Sequence, residues 1–226
     1  MTNKTLDIPA LAAELTNAVH STWNPQQQYV ALALFRLLAE GEPVTVEALA
    51  ARVELPRAEV AAFIGELKHR DGEGRVVAFG GLTLQPTSHL LDVDGRTLHA
   101  WCALDTLFLP ELLAAPARVR STCPATGQPI TLTVDGTGVH HVTPQGAVLS
   151  LHSVAGLDPD DVIGTFCCFV HFFATEDAAL GWTASRPGTY IASLAEGFEY
   201  GRYCNHAQFP AVLGDGPRPA PPATRR

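Results

Sequence analysis

The chain has 226 residues, enough for one large domain or two small ones with a true hydrophobic core, and its composition is that of a globular protein. A formal net charge of −8 argues against a general binder of nucleic acid or of anionic membranes, and no stretch reaches the roughly 20 consecutive apolar residues of a membrane-spanning helix. Five cysteines, an odd number with two adjacent, predict a reducing, cytoplasmic setting in which the thiols are free or hold a soft metal, not a disulfide framework.

The N-terminus has no basic start feeding an apolar block, so no signal peptide is expected. Ile8 to Ser21 reads as an amphipathic helix with Leu11, Leu15, Ala18 and Val19 on one side, broken by Trp23-Asn24-Pro25. A second helix is predicted from Gln26 to Ala39, stopping at Gly41, and a short third from Val46 to Val53 behind Thr45 as N-cap. Leu55-Pro56 opens a fourth, Arg57 to His69, with Val60, Phe63, Ile64 and Leu67 at helical spacing. Arg75 to Phe79 and Leu82 to Leu84 around Gly80-Gly81 predict a β-hairpin. Helices followed by a hairpin make a winged helix-turn-helix pattern. The helix that would read DNA is mainly apolar and carries Glu59 and Glu66, with few side chains for base edges or phosphates. A helical module packed on a catalytic domain is the better reading.

After Pro86 the texture changes. Leu90 to Val93 and the turn Asp94-Gly95 are expected to lead directly into a central helix, interrupted at Pro110. Ala117 to Thr122 and Pro129 to Val134 alternate like strands about the turn Cys123 to Gly127, and Val139 to Val142 and Ala147 to Leu151 are further strands. Asp158 to Asp161 is a loop or helix start. Phe166 to Phe173, almost wholly apolar, predicts a buried strand. Glu176 to Ser185 and Leu194 to Tyr203 read as helices, and from Gly214 the chain is Pro-rich and predicted disordered. The division expected is a winged-helix-like N-terminal domain over 1–85, a catalytic domain over 86–213 and a tail over 214–226, in an α+β fold.

The chemistry concentrates in His99 to Pro110, where Cys102 stands three residues before Asp105 in an apolar run with Trp101, Leu104, Leu107 and Phe108. On a helix this spacing puts thiol and carboxyl on one face. A carboxyl group in a dry place tends to keep its proton. Cys167 and Cys168 would point to opposite faces of a strand, so at most one of them belongs to such a site; the residues themselves do not say which. His171 shares a face with Cys167 but no paired zinc motif accompanies it. Cys123 and Cys204 read as core cysteines, His140-His141 carries no ligand spacing, and Asp105 reads equally as a cap or as a catalyst.

The segments Thr97-Leu-His-Ala-Trp-Cys-Ala-Leu-Asp-Thr-Leu107, Ala117-Arg-Val-Arg-Ser-Thr-Cys-Pro-Ala-Thr-Gly127 and Phe166-Cys-Cys-Phe-Val-His-Phe-Phe173 resemble, in order and separation, the organomercurial lyases (alkylmercury lyase, MerB). The resemblance implies protonolysis of a carbon–mercury bond, with Cys102 and Cys167 as the catalytic thiols that hold mercury and Asp105 as the catalytic acid beside it. It further implies that Cys168 is not required for the chemistry, that Cys123 is structural, and that the C-terminal domain combines mixed or antiparallel β-sheets with helices. No cofactor is expected. The expected partners are the organomercurial substrate, low-molecular-weight thiols that release Hg(II), and a mercuric reductase as acceptor, with neither nucleic acid nor membrane. His99 replaces a Tyr and Phe169 a His of better-known members; neither touches the three catalytic positions. The same cysteines would also suit a soft-metal binding or sensor protein, and Asp105 is what separates the two readings.

Overall fold

Local capping signals explain where most helices begin. The structure, a computed structural model, describes residues 6–19 and 23–214; the last two residues of the first expected helix and the tail beyond Gly214 lie outside them. Helix α1 (Ile8–Val19) turns Ile8, Ala12 and Leu15 inward. The Trp23-Asn24-Pro25 break is also a start signal: Asn24 and Gln27 cap α2 (Pro25–Leu38) reciprocally, with Pro25 where no helical N–H is needed. Thr45 caps α3 (Val46–Val53) through the Ala48 N–H. Helix α4 (Arg57–Gly65) stops short of the expected His69. Gly65 weakens the helix, and the chain tightens through bonds from the Glu66 and Leu67 N–H groups to the Phe63 and Ile64 carbonyls.

Strands β1 (Ala78–Phe79) and β2 (Leu82–Thr83) form the expected hairpin around Gly80 and Gly81, whose φ values are 51° and 96°. Strands β3 (His89–Val93) and β4 (Arg96–Ala100) form a second around Asp94-Gly95, where both φ values are positive, as a tight two-residue turn requires. The expectation that this turn leads straight into the central helix is corrected by β4, which bonds to β2 on one side and β3 on the other. The Asp94-Gly95 turn signals a hairpin return strand, and pairing with β2, set by sheet assembly, extends it to Ala100.

Helix α5 (Ala103–Leu113) is buried on nearly every side and runs through Pro110 without interruption, a second correction. Proline removes one ladder bond, but α5 lies between two cores, with Leu104 and Leu107 in one and Leu109 and Leu112 in the other. Packing on both sides outweighs that local defect.

Beyond it come β5 (Ala117–Thr122), β6 (Pro129–Asp135), β7 (Gly138–Thr143) and β8 (Val148–His152), and then α6 (Val162–Thr165), capped by Asp161. The expected strand over Phe166 to Phe173 is corrected: Cys167–Phe169 forms a 3₁₀ turn, and β9 comprises only Phe172–Phe173. The N–H groups of Phe166, Phe169 and Val170 bond to the carbonyls of Val162, Phe166 and Cys167, so the chain keeps turning. An unbroken apolar run is equally at home in a buried turn and a buried strand. Helix α7 (Glu176–Thr183), β10 (Thr189–Ala192), α8 (Leu194–Gln208) and α9 (Pro210–Leu213) complete the order.

Strands pair antiparallel throughout, in a seven-stranded sheet of order β1-β2-β4-β3-β5-β6-β7 and a three-stranded sheet of order β10-β8-β9. The β2–β4 pairing carries the larger sheet across Pro86. One core packs α1, α5 and α8 with the β5–β9 strands; the other packs α2 to α4 with the two hairpins and the far half of α5. The fold is α+β with antiparallel sheets, and α5 joins its two cores.

Candidate active site: two buried thiols and a carboxyl

The N-terminus of α5 builds half of the site. Cys102 is the N-cap, not a helical residue, and Asp105 is the third residue of the first turn. The Cys102 N–H donates to Asp105 Oδ2 at 2.8 Å, while the Asp105 N–H is directed at the Cys102 sulfur. This is a capping box with sulfur in the place of a hydroxyl. Thiol and carboxyl are thus neighbours because they cap one helix together.

The second half arrives on the 3₁₀ turn. The Ala103 N–H donates to the Val170 carbonyl at 3.1 Å, which docks the Cys167 segment against the start of α5. Behind it, fully buried Ser150 donates its hydroxyl to the Phe169 carbonyl at 2.6 Å and accepts the His171 N–H at 3.0 Å. The outcome is that one ligand atom each from Cys102, Asp105 and Cys167 lie within 4.8 Å of one another, all three residues buried.

Gly81 makes room for the carboxyl. Its carbonyl accepts the Trp101 N–H at 2.9 Å, and a Cβ there would stand 2.5 Å from Asp105 Oδ1. The site opens into an apolar cavity of about 310 Å³, whose walls include Leu15, Trp23, Trp101, Leu104, Phe108 and Phe166.

Burial governs the protons. It pushes the Asp105 carboxyl up to about 7, against hydrogen bonds from the Cys102 thiol and N–H that favour the ionised form. Burial, the hydrogen bond with Cys167 and the neighbouring Asp105 charge hold the Cys102 thiol well above its ordinary range. Near neutrality the pocket therefore stores protons beside two soft ligands. A soft metal could draw both sulfurs, and Asp105 could then take up or return a proton.

The other candidates fall elsewhere. Cys168 is exposed, and its thiol donates to the Gly164 carbonyl at 3.0 Å. His171 Nε2–H donates to the Cys168 carbonyl at 2.9 Å and the ring packs on Trp182, so it braces the turn from behind. Cys123 is buried in its turn, where burial raises its thiol but the Thr126 hydroxyl and nearby N–H groups bring it below the ordinary value. Cys204 lines the cavity wall under α1, and burial pushes its thiol up to about 12. His140 pairs with Asp135 on the β6–β7 hairpin. His99 accepts the Thr87 N–H, and Phe169 stacks on His152. Sequence reading missed Gly81 and Ser150. The Gly80-Gly81 pair signalled a turn, but nothing in it signalled contact with Asp105, and no motif marks Ser150.

An α+β fold that buries two thiols and one protonatable carboxyl against an apolar cavity defines a protein handling a soft metal attached to a greasy group. The comparisons make this specific. The alkylmercury lyase family model matches residues 82–205. The chain is 40% identical over 186 residues to the alkylmercury lyase of Streptomyces lividans, covering 81% of this chain and 84% of that one. Against the alkylmercury lyase of Staphylococcus epidermidis it is 37% identical over 202 residues, covering 87% and 91%. In fold it is similar to the crystal structure of the mercury-bound form of MerB2, with a TM-score of 0.69 and 24% identity over 87% of this chain and 96% of that one. The chain belongs to the alkylmercury lyase family.

Proposed function

We propose that the chain cleaves the carbon–mercury bond of alkyl and aryl mercury compounds by protonolysis, giving a hydrocarbon and Hg(II), with Cys102, Cys167 and Asp105 as its working groups. The observation that carries this reading is the approach of two sulfurs and a carboxyl oxygen to within 4.8 Å in a buried site. Mercury exchanges its incoming ligand for the two sulfurs; one thiol proton leaves with that ligand and the other goes to ionised Asp105. Two thiolates on one mercury load electron density onto the metal and its bound carbon. Asp105 then gives its proton to that carbon as the carbon–mercury electron pair becomes the new C–H bond. Hydrocarbon departs, Hg(II) stays on the two sulfurs and Asp105 is left ionised. No electron changes hands, so the reaction needs neither a redox partner nor a resident cofactor.

The same reading assigns removal of Hg(II) to a low-molecular-weight thiol, with a mercuric reductase as a further acceptor, and places the work in a reducing cytoplasm. Five free cysteines and the absence, among the described residues, of any helix long and apolar enough to cross a membrane are compatible with that setting. It also takes residues 1–85 as a winged-helix-like module and 86–213 as the catalytic unit; α2 to α4 pack in one core, which they share with both hairpins and the far half of α5.

The test is a headspace assay. Reduced protein is incubated with methylmercury and excess thiol, and methane is followed by gas chromatography beside Cys102→Ser, Cys167→Ser and Asp105→Ala. Methane from the wild type alone, with mercury still bound by Asp105→Ala, is the expected result. Stoichiometric mercury binding without methane from any sample would make the protein a soft-metal binder instead.

A further inference from the structure

We propose that Lys68 sets the size of the organic group admitted to this site, by clasping the two lips of the cavity mouth. The inference rests on the lyase reading and adds a residue that determines specificity. One lip is the loop that follows the early end of α4. Its His69 ring packs on Trp101, next to Cys102, at 4.8 Å, and its His69 carbonyl accepts the Val77 N–H, which fixes its base. The other lip is the Pro159–Asp161 loop, which leads through α6 to Cys167. Lys68 reaches across: its ammonium pairs with the Asp160 carboxylate and lies 3.4 Å from the Pro159 carbonyl. One short segment thus touches the neighbourhoods of both mercury-binding cysteines.

Composition of the mouth gives the clasp its meaning. Among the described residues lining the cavity, Lys68 is the one fixed cation, set among Glu66, Asp160 and Asp161. Behind the pair the rim is apolar, and Ile163 there is left 38% exposed. The Lys68 and Asp160 side chains are 52% and 85% exposed, so water and salt compete for both. Pairs of this kind bias a closed over an open arrangement by no more than about five-fold. Such a bias suits a clasp that yields: a methyl group passes the closed mouth, while a fused aryl ring needs the lips apart.

The experiment is a competition in one vessel between methylmercury and 1-naphthylmercury, reading methane and naphthalene and hence the ratio of their kcat/KM values. In Lys68→Met and in Asp160→Asn that ratio is expected to rise about two- to five-fold towards the aryl substrate. The reversed pair, Lys68→Glu with Asp160→Lys, is expected to return it to the wild-type value. Raising salt is expected to lift the ratio in the wild type and leave it level in the single variants. An unchanged ratio in both single variants, or one that stays raised in the reversed pair, overturns the clasp. Absence of both hydrocarbons from the wild type overturns the lyase reading and the clasp with it; hydrocarbon at an unaltered ratio overturns the clasp alone.

Discussion

Gly81→Ala tests the site through a residue that performs no chemistry. An added Cβ would lie 2.5 Å from Asp105 Oδ1 and 2.6 Å from its Cγ, so the carboxyl must retreat by about 0.9 Å to recover an ordinary 3.4 Å contact. The backbone resists as well, because Gly81 has a φ of 96°, where an L side chain is strained by about 1–3 kcal/mol. A reacting group misplaced by about 1 Å loses on the order of 100-fold in rate, or about 2.7 kcal/mol of barrier. The expected variant folds with a melting temperature about 2–10 °C lower, binds mercury with wild-type stoichiometry, and releases methane about 100-fold more slowly. Headspace chromatography under single-turnover conditions, with mercury content measured on the same sample, separates these effects. Turnover within three-fold of wild type would refute the claim that Gly81 holds the carboxyl in place.

Asp105 also makes stability depend on pH. Burial raises its folded-state pKa from 3.8 to about 7, so the folded chain keeps a proton that the unfolded chain has already released. That advantage is full below about pH 4 and is lost as pH rises through about 7, on the order of 4 kcal/mol. Asp105→Asn is therefore expected to have a higher urea midpoint than wild type at pH 8 and a similar one at pH 4, both under reductant; equal midpoints at pH 8 would contradict it. Ser150→Ala leaves the Phe169 carbonyl and the His171 N–H without their partner, at about 1–3 kcal/mol each. It is expected to melt about 4–24 °C lower and to turn over more slowly, because Cys167 rides on the segment it anchors. An unaltered melting curve would remove Ser150 from that role.

Most helices announce themselves through caps that act within a few residues, such as Asn24 with Gln27 and Thr45 with Ala48. The pairing of Cys102 with Asp105 was legible for a related reason. Three-residue spacing brings them together whether they share a helical face or, as here, form the cap itself. Cys167 was harder. An almost unbroken apolar run predicts a buried strand there, and burial at Phe166, Cys167, Val170, Phe172 and Phe173 follows neither a period of two nor one of three. What decides the conformation is the preceding Asp161-capped turn and the anchor at Ser150, both outside that run. Strand β4 escaped because the apolar run that follows reads as helix, and its second partner, β2, is set by sheet assembly; the end of α4 escaped because the helical spacing of Leu67 continues past Gly65, where the chain tightens into i→i+3 bonds. Residues 66–69 became a lip of the cavity.

The separation of the two sulfurs along the chain has a mechanical side. Cys102 and Cys167 stand 65 positions apart, so on the proposed chemistry a mercury ion joining them would close a long loop. By the entropy of loop closure, such a cross-link would raise the unfolded chain relative to the folded one by about 4 kcal/mol, stabilising the fold. Each turnover would tie the molecule shut with its own product and leave it more durable than before. A thiol that removed the ion would then do two things at once: clear the site and cut the staple. Deprived of that thiol, the population would drift into a form that is silent and unusually hard to unfold.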